Sequence, residues 1–294
     1  MLVVLSLVAW LQSAPSAAPA DYVAEVRRLA ASSSNDERLD VLTALLREHN
    51  VPFAVEEFTL DKPDPRDGRM RGRNIVVTLG AGADDIVVGA HYDAVRLKEG
   101  MLSQGAVDNG ASSVMLVHLA VALRGERLGA RVRLVWFDME ESGLIGSRRY
   151  LEAHQGDRMG TMLNYDINAY GDTVMFSEAP GGENARLRQT MLEACAAEHV
   201  DCLRFPQMPN SDDRTFGRAK IPTLSMAILP AVEVHQMWLL LNAGKESGLA
   251  PGFTPATLRT IHTADDVVEK VDGASVARVQ QLALALVRRL AAAR

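Results

Sequence analysis

The chain of 294 residues contains 48% hydrophobic and 23% charged residues, which is the composition of an ordinary globular protein. Its formal net charge of −6 and the lack of a Lys/Arg cluster make nucleic acid an unexpected partner. The length fits one large α/β domain or two small ones. Because the sequence shows no internal repeat and no flexible linker, we predict one domain, residues 21–294.

The first twenty residues differ in composition from the rest of the chain. An apolar run over residues 2–11 is followed by small residues, and Ala18-Pro19-Ala20 has the form of a signal-peptidase cleavage site. The run is shorter than the roughly 20 apolar residues of a membrane anchor, which is the alternative interpretation. We therefore predict a signal peptide over residues 1–20, and a secreted or periplasmic protein without a membrane contact after cleavage.

The chain has two cysteines, Cys195 and Cys202. In an oxidising compartment they could close a small loop between a helix end and the next segment. Two separately buried thiols are the alternative, and the sequence does not decide between them.

Two helical patterns open the mature chain, and two strand-like runs follow. The helical patterns cover 21–31 and 36–49, and the strand-like runs cover 51–60 and 73–80. Beyond them the predicted strands are 85–90, 131–137, 161–165, 173–176 and 222–229, and the predicted helices are 109–124, 146–154, 184–197 and 272–293. This alternation predicts an α/β fold with a mostly parallel central sheet that helices cover on both faces.

The stretch 230–259 has weak periodicity, and we predict a loop insertion over one face of the sheet. This insertion, with Met237, Trp238 and the leucines after them, either lines a specificity pocket or packs as a plain core or dimer patch.

Carboxylates and histidines follow the predicted strands at their carboxyl ends, where ligands bind in open α/β sheets. They are His91, Asp93, Asp108, Asp138, Glu140, Glu141 and Asp166 and, before the last helix, His262 and Asp265. Buried anions need neutralisation by cations, and only Arg148 and Arg149 lie close in sequence. Imidazole and carboxylate donors suit zinc, with manganese and cobalt left open, and five ligands suit two ions that share a bridging carboxylate.

Five motifs occur in a fixed order: GAHYDAV, GAVDNGASSV, WFDMEESGLIGSRRY, LNYDIN and IHTADD. In this combination the sequence resembles the secreted co-catalytic zinc aminopeptidases of the bacterial leucyl aminopeptidase type, which are related to glutamate carboxypeptidase and glutaminyl cyclase. The resemblance implies the α/β/α sandwich of the zinc exopeptidases, two zinc ions and a peptide substrate.

The resemblance also implies a role for each of the motif residues. The ligands would be His91 and Asp166 on one zinc, Glu141 and His262 on the other, and Asp108 as the bridge. Glu140 would be the general base that takes a proton from the attacking water. From the His-x-Asp spacing, Asp93 would accept the second ring N–H of His91 and fix its tautomer, and Asp265 could do the same for His262.

Each of these residues also has a plain structural interpretation. The histidines could be ordinary loop residues, Asp108 a helix N-cap, Asp166 a strand-end cap and Asp93 a turn former. For five other histidines the structural role is the prediction: His49, His118, His154, His199 and His235.

The leading hypothesis is therefore a metal-dependent exopeptidase that removes N-terminal residues from peptides. Its oxyanion donor would be a backbone N–H or the hydroxyl of Tyr92, Tyr165 or Tyr170. The alternatives are a glutaminyl-peptide cyclotransferase with one zinc, a carboxypeptidase-like or aminoacylase-like hydrolase with Arg214 or Arg218 as the carboxylate clamp, and a binding module that has lost its metals.

The sequence departs from the family pattern at one motif. Family members usually carry Ser-Asp-His before a strand that ends in Gly-Ile-Pro, whereas this chain has Ser211-Asp212-Asp213 and then Ala219-Lys220-Ile221-Pro222. The change leaves the expected ligands intact and affects the substrate contacts.

Overall fold

The computed structural model describes residues 21–98 and 100–292, so the predicted signal peptide lies outside the described residues. The strands are β1 (Ala54–Thr59), β2 (Arg71–Leu79), β3 (Asp85–His91), β4 (Arg131–Phe137), β5 (Met159–Tyr165), β6 (Thr173–Ser177), β7 (Asp201–Arg204) and β8 (Thr223–Leu229). The α-helices are α1 (Tyr22–Ala30), α2 (Asn35–Glu48), α3 (Ala111–Leu123), α4 (Ile145–Ala153), α5 (Ala185–Ala197), α6 (Asp213–Arg218), α7 (Ala231–Asn242), α8 (Ala256–Thr260) and α9 (Gly273–Ala292).

All eight strands belong to one sheet, in the order β1-β2-β4-β3-β5-β8-β6-β7. The four central strands, β4, β3, β5 and β8, are parallel to one another, while β1 and β2 at one edge and β6 near the other pair antiparallel. All seven residues of β3 and all seven of β8 are buried, as expected for strands covered on both faces. The predicted α/β fold is confirmed, with antiparallel pairing added toward both edges.

Helices cover both faces of the sheet. Along β3, Ile86, Val88 and Ala90 join the larger core with α1, α2, α3 and α9, whereas Val87 faces the opposite side. There it packs with Tyr150 of α4 and Phe216 of α6. This alternation follows from the two-residue period of a strand. The segment Ala106–Leu123 is apolar and long enough to cross a membrane, but 89% of it is buried inside the protein, where α3 packs on α9.

The prediction of a loop over residues 230–259 is wrong at its start, because α7 occupies Ala231–Asn242. Val234 and Met237 are buried, and Trp238 and Leu241 pack partly against the core. These four positions have the i, i+3, i+4, i+7 spacing of a helix, a signal that the sequence carried. The short strand β7 and the six-residue helix α6 were also missed, because neither is long enough to show a period.

A disulfide joins Cys195 on α5 to Cys202 on β7. The sequence left open whether the two cysteines are bonded or are separately buried thiols, and in the structure they are bonded. It closes a loop with a sequence separation of 7 and fixes the edge strand β7 to the helix that precedes it.

We expect the double substitution Cys195→Ser with Cys202→Ser to destabilise the protein. In the loop-entropy estimate, a disulfide that closes a loop of this size lowers the entropy of the unfolded chain and so stabilises the folded protein by about 2–3 kcal/mol. The variant loses this stabilisation. Urea denaturation of the two proteins, with and without a reductant, measures the difference. A reductant should lower the wild-type midpoint and leave the variant unchanged; equal wild-type midpoints in both buffers would contradict the expectation.

Candidate metal centre

Two groups of donor side chains meet around one aspartate. Nε2 of His91 lies 3.1 Å from Oδ1 of Asp108 and 3.6 Å from Oδ1 of Asp166. Nε2 of His262 lies 3.1 Å from Oδ2 of Asp108 and 3.1 Å from Oε2 of Glu141. Each carboxylate oxygen of Asp108 therefore faces a different histidine. The structure brings all five predicted ligands together, as two triads that share Asp108.

The fold explains why residues so distant in sequence converge. His91 ends β3, Asp108 lies just before α3, Glu141 lies between β4 and α4, Asp166 follows β5, and His262 follows α8. From β3 the chain crosses to β4 on one side, whereas β5 lies on the other side of β3. Such a switch point opens a crevice beyond the carboxyl ends of the two strands. The centre lies at this crevice.

Side-chain hydrogen bonds to its backbone hold the loop that carries Glu140 and Glu141. The side chain of Asn74 accepts from the Asp138 amide at 3.1 Å and donates to the Gly146 carbonyl at 2.9 Å. A Cβ at Gly146 would lie 2.1 Å from the Asp138 oxygen, so only glycine fits there. The carboxylate of Asp138 is buried and pairs with Arg69 at 3.0 Å, so this strand-end aspartate belongs to neither triad.

Asp93 links the first histidine to the glutamate loop. Its Oδ1 accepts from the amide of Glu140 at 3.0 Å and lies 3.4 Å from Nδ1 of His91, while Oδ2 accepts from the amide of Glu141 at 3.2 Å. The backbone carbonyl of Asp93 also lies 3.2 Å from Nδ1 of His91. Asp93 therefore positions a donor of one triad and the backbone of the other.

We expect Asp93→Asn to weaken zinc binding or activity by about 10–100-fold, the usual loss when a partner of a ligand is removed. An amide has one acceptor oxygen, so it cannot serve both backbone N–H groups and the His91 ring. Zinc affinity and kcat/KM measured on one sample report the effect. Asp265→Asn is the matched control, because the Asp265 side chain is exposed. Equal losses in the two variants would show that Asp93 has no positioning role.

Two buried residues that sequence reasoning missed hold the Asp108 segment. Asp266 accepts from the amides of Val107 at 2.6 Å and Asp108 at 3.2 Å, so it, and not its neighbour Asp265, is buried against the centre. The buried guanidinium of Arg38 donates to the carbonyls of Tyr92, Gln104 and Gly105. The motif IHTADD contained Asp266, whereas nothing local to Arg38 indicates its contacts.

Glu140 lies beside the triads and has no side-chain ion pair among the described residues. Burial raises its pKa well above the usual range; His91 opposes this, and the nearby carboxylates of Asp212 and Asp166 add to it. Burial and the charge of Asp108 also raise the pKa of Glu141 to about 7, against the contact with His262. The site thus concentrates more negative charge than its own side chains neutralise.

Divalent cations fit this donor set. Oε1 of Glu141 and Oδ1 of Asp166 are buried without a hydrogen-bond partner, which is costly unless a cation faces them. Each triad offers one imidazole nitrogen and two carboxylates, with the Asp108 carboxylate common to both, and each could hold a metal ion.

The three tyrosines considered as oxyanion donors lie in different surroundings. The Tyr92 hydroxyl donates to the Arg73 carbonyl at 2.9 Å, and the Tyr170 hydroxyl lies 2.7 Å from Oγ1 of Thr257. The Tyr165 hydroxyl is buried without a hydrogen-bond partner, and burial raises its pKa. The hydroxyls of Tyr92 and Tyr170 thus have partners outside the triads.

Three arginines bear on the alternatives with a carboxylate clamp. Arg214 donates to the Met208 carbonyl at 2.9 Å, and Arg218 is exposed at the end of α6. Arg66, in the loop between β1 and β2, lies 3.6 Å from Oε2 of Glu141 and is 56% exposed. Asp213, at the position of the family histidine, is buried, and burial raises its pKa to about 7.

The sequence model of Peptidase family M28 matches residues 74–287, and the chain belongs to this family. That range contains all five donors of the two triads.

Curated relatives and solved structures agree with this assignment. A probable leucine aminopeptidase of Arthroderma benhamiae is 27% identical over 149 residues, 46% of this chain and 37% of that protein. Aminopeptidase Y of Saccharomyces cerevisiae is 30% identical over 194 residues, 63% of this chain and 34% of that protein. This chain thus spans about a third of the length of these relatives.

Among solved structures, a zinc aminopeptidase from Bacillus subtilis superposes with a TM-score of 0.71 at 13% identity, over 92% of this chain and 94% of that one. A glutaminyl cyclase from Porphyromonas gingivalis gives 0.71 at 17% identity, over 92% and 97%. At such low sequence identities these superpositions show a common fold and not a common reaction. The peptidase and the cyclase both have this fold.

Proposed function

We propose that this protein is a zinc-dependent aminopeptidase with two metal ions. Membership of a peptidase family and the aminopeptidase relatives support the reaction class. The observation that carries the proposal is the pair of triads on the two oxygens of Asp108. A one-zinc cyclase would need only one of them.

The ligand assignment follows the two triads. His91 and Asp166 would hold one zinc, Glu141 and His262 the other, and Asp108 would bridge them. When bound, the two ions supply Lewis acidity that polarises the scissile carbonyl and makes water a nucleophile near neutral pH. The buried oxygens of Glu141 and Asp166 then have partners.

We assign the proton transfer to Glu140. Its carboxyl interacts with the charges of His91, Asp166 and Glu141, and its backbone N–H donates to Asp93. It would accept the proton of the attacking water and donate it to the leaving amine. A carboxylate near the attacking water is a group that can carry out both transfers.

The charge of the site favours the amino end of a peptide. Besides the ligands, Asp212 and Asp213 are buried near Asp166 and add carboxylates that attract an α-ammonium group. Among the described residues, neither Arg214 nor Arg218 forms an ion pair with a triad carboxylate, so the clamp that a carboxypeptidase needs would rest on exposed Arg66.

We also propose that the protein is exported and acts as one catalytic domain over residues 21–294. The apolar segment before residue 21 and the disulfide between Cys195 and Cys202 support an oxidising compartment.

Release of free amino acid from three matched dipeptides tests the proposed specificity. One is unblocked, one is acetylated at the amine and one is amidated at the carboxylate. We expect hydrolysis of the unblocked and amidated peptides and none of the acetylated one. The opposite selectivity would indicate a carboxypeptidase or aminoacylase. Ammonia release from an N-terminal glutamine without amino acid release would indicate a cyclase.

A further inference from the structure

A second cluster of donor side chains lies on the helical face of the protein, where α1, α2 and α3 meet. Glu25 of α1 projects between His49, the residue after α2, and His118 of α3. Its Oε1 lies 3.1 Å from Nε2 of His49, and its Oε2 lies 2.7 Å from Nε2 of His118. The imidazole rings are 5.0 Å apart. The Nε2 atoms of two imidazoles, from different parts of the chain, thus lie next to one carboxylate.

The spacing of these donors matches that of the two triads. Histidine-to-carboxylate distances are 3.1–3.6 Å around Asp108 and 2.7–3.1 Å around Glu25. A tetrahedral zinc with ligand bonds near 2.0–2.1 Å separates two donors by about 3.3 Å. Shifts of a few tenths of an ångström would therefore admit an ion.

The surroundings also suit a cation. The two nearby arginines have other partners, since Arg28 pairs with Glu48 and Arg124 donates to the carbonyls of His49 and Asn50. His49 follows the carboxyl end of α2, where the helix dipole favours positive charge. The side chains of His49, Glu25 and His118 are 30%, 14% and 9% exposed, so an ion and a water molecule can reach the cluster.

This cluster is separate from the centre around Asp108. Asp108 lies just before the N-terminal end of α3, whereas His118 lies in the second half of that helix, about 10 Å farther along its axis. Glu25 and His49 make no contact with the triads that the structure describes.

We propose that Glu25, His49 and His118 bind a further divalent transition-metal ion, with water as the remaining ligand. Two imidazoles and one carboxylate are donors that zinc accepts. Because each ligand comes from a different helical segment, the ion would cross-link α1 and the end of α2 to α3. Its role is structural: it ties the two N-terminal helices to the helix that covers the centre of the sheet.

Zinc counts on purified variants test the proposal. Wild type, Glu25→Gln and His49→Asn are dialysed against buffered free zinc, and bound zinc per chain is measured by elemental analysis. His235→Asn is the matched control, because His235 is exposed on α7 and its ring contacts only the Ala231 carbonyl. We expect one ion fewer in Glu25→Gln and in His49→Asn, and no loss in the control.

Thermal unfolding gives a second readout. Zinc should raise the Tm of wild type and of His235→Asn by at least about 2 °C more than that of Glu25→Gln or His49→Asn. If Glu25→Gln fails to fold, His49→Asn is the variant to compare with wild type, because the His49 side chain is partly exposed. Equal zinc counts and equal zinc-dependent shifts in all four proteins would overturn the proposal and leave Glu25 as a hydrogen-bond acceptor for two neutral imidazoles.

The test does not depend on the aminopeptidase proposal, because it measures the difference of one bound zinc ion between Glu25→Gln and wild type, whatever number of ions binds around Asp108. The same difference should persist when Glu25→Gln is compared with its parent in an Asp108→Ala background. Loss of the ions around Asp108 together with a persisting difference would support both proposals. An Asp108→Ala protein that keeps its full zinc count would contradict the two-metal centre, and a persisting difference in that protein would still support the helical site.

Discussion

Replacing Glu140 by glutamine should lower kcat by about 10²–10⁴-fold while leaving the zinc content unchanged. The amide has nearly the same shape, but it cannot accept a proton from water or pass one to the leaving amine. The backbone N–H of Glu140, which donates to Asp93, is not altered by the substitution. The loss should therefore be one of proton transfer and not of structure.

Glu141→Gln is the matched comparison, since the two glutamates are adjacent and carry the same charge. Glu141 contacts His262 at 3.1 Å and has a buried oxygen without a partner, so its loss should reduce bound zinc. Assays of kcat and zinc content on both variants separate the two roles. Full activity in Glu140→Gln, or the same zinc loss in both variants, would contradict the assignment of Glu140 as the base.

Asp108→Ala should have the second large effect, because Asp108 is the one donor that both triads share. Its removal leaves Nε2 of each histidine with a single carboxylate partner, and both ions should bind more weakly. Loss of metal assistance worth several kcal/mol corresponds to a decrease in kcat/KM of about 10³-fold or more. Zinc titration with elemental analysis and peptide hydrolysis measure the two consequences.

Asp166→Ala is the control for this experiment, since Asp166 faces His91 alone. We expect it to weaken one ion and Asp108→Ala to weaken two. If both variants lose the same number of ions, Asp108 does not act as a bridge.

Much of the fold could be predicted because local patterns determine it. The apolar runs that became β3, β4, β5 and β8 are continuous, as in strands buried on both faces, and helical patterns separate them. The antiparallel pairing of β1, β2 and β6 could not be predicted, because it depends on long-range contacts. Strand β7 has four residues, too few to display a period.

The candidate site divides in the same way. The donors lie in motifs at strand ends, so their convergence follows from the topology of a parallel sheet. The residues that hold those motifs in place were harder to find. Arg38, for example, contacts three carbonyls far away in sequence. The separate cluster of Glu25, His49 and His118 could not be predicted either, because only the packing of α1, α2 and α3 brings its residues together.

Anomalous scattering at the zinc absorption edge, from crystals of the mature protein, tests the two-metal centre most directly. We predict two peaks next to Asp108, about 3.5–4 Å apart, one beside His91 and the other beside His262. A single peak next to Asp108 would contradict a shared bridging carboxylate and favour a one-zinc enzyme. An absence of peaks at Asp108 in zinc-loaded crystals would contradict the account of the site as a whole.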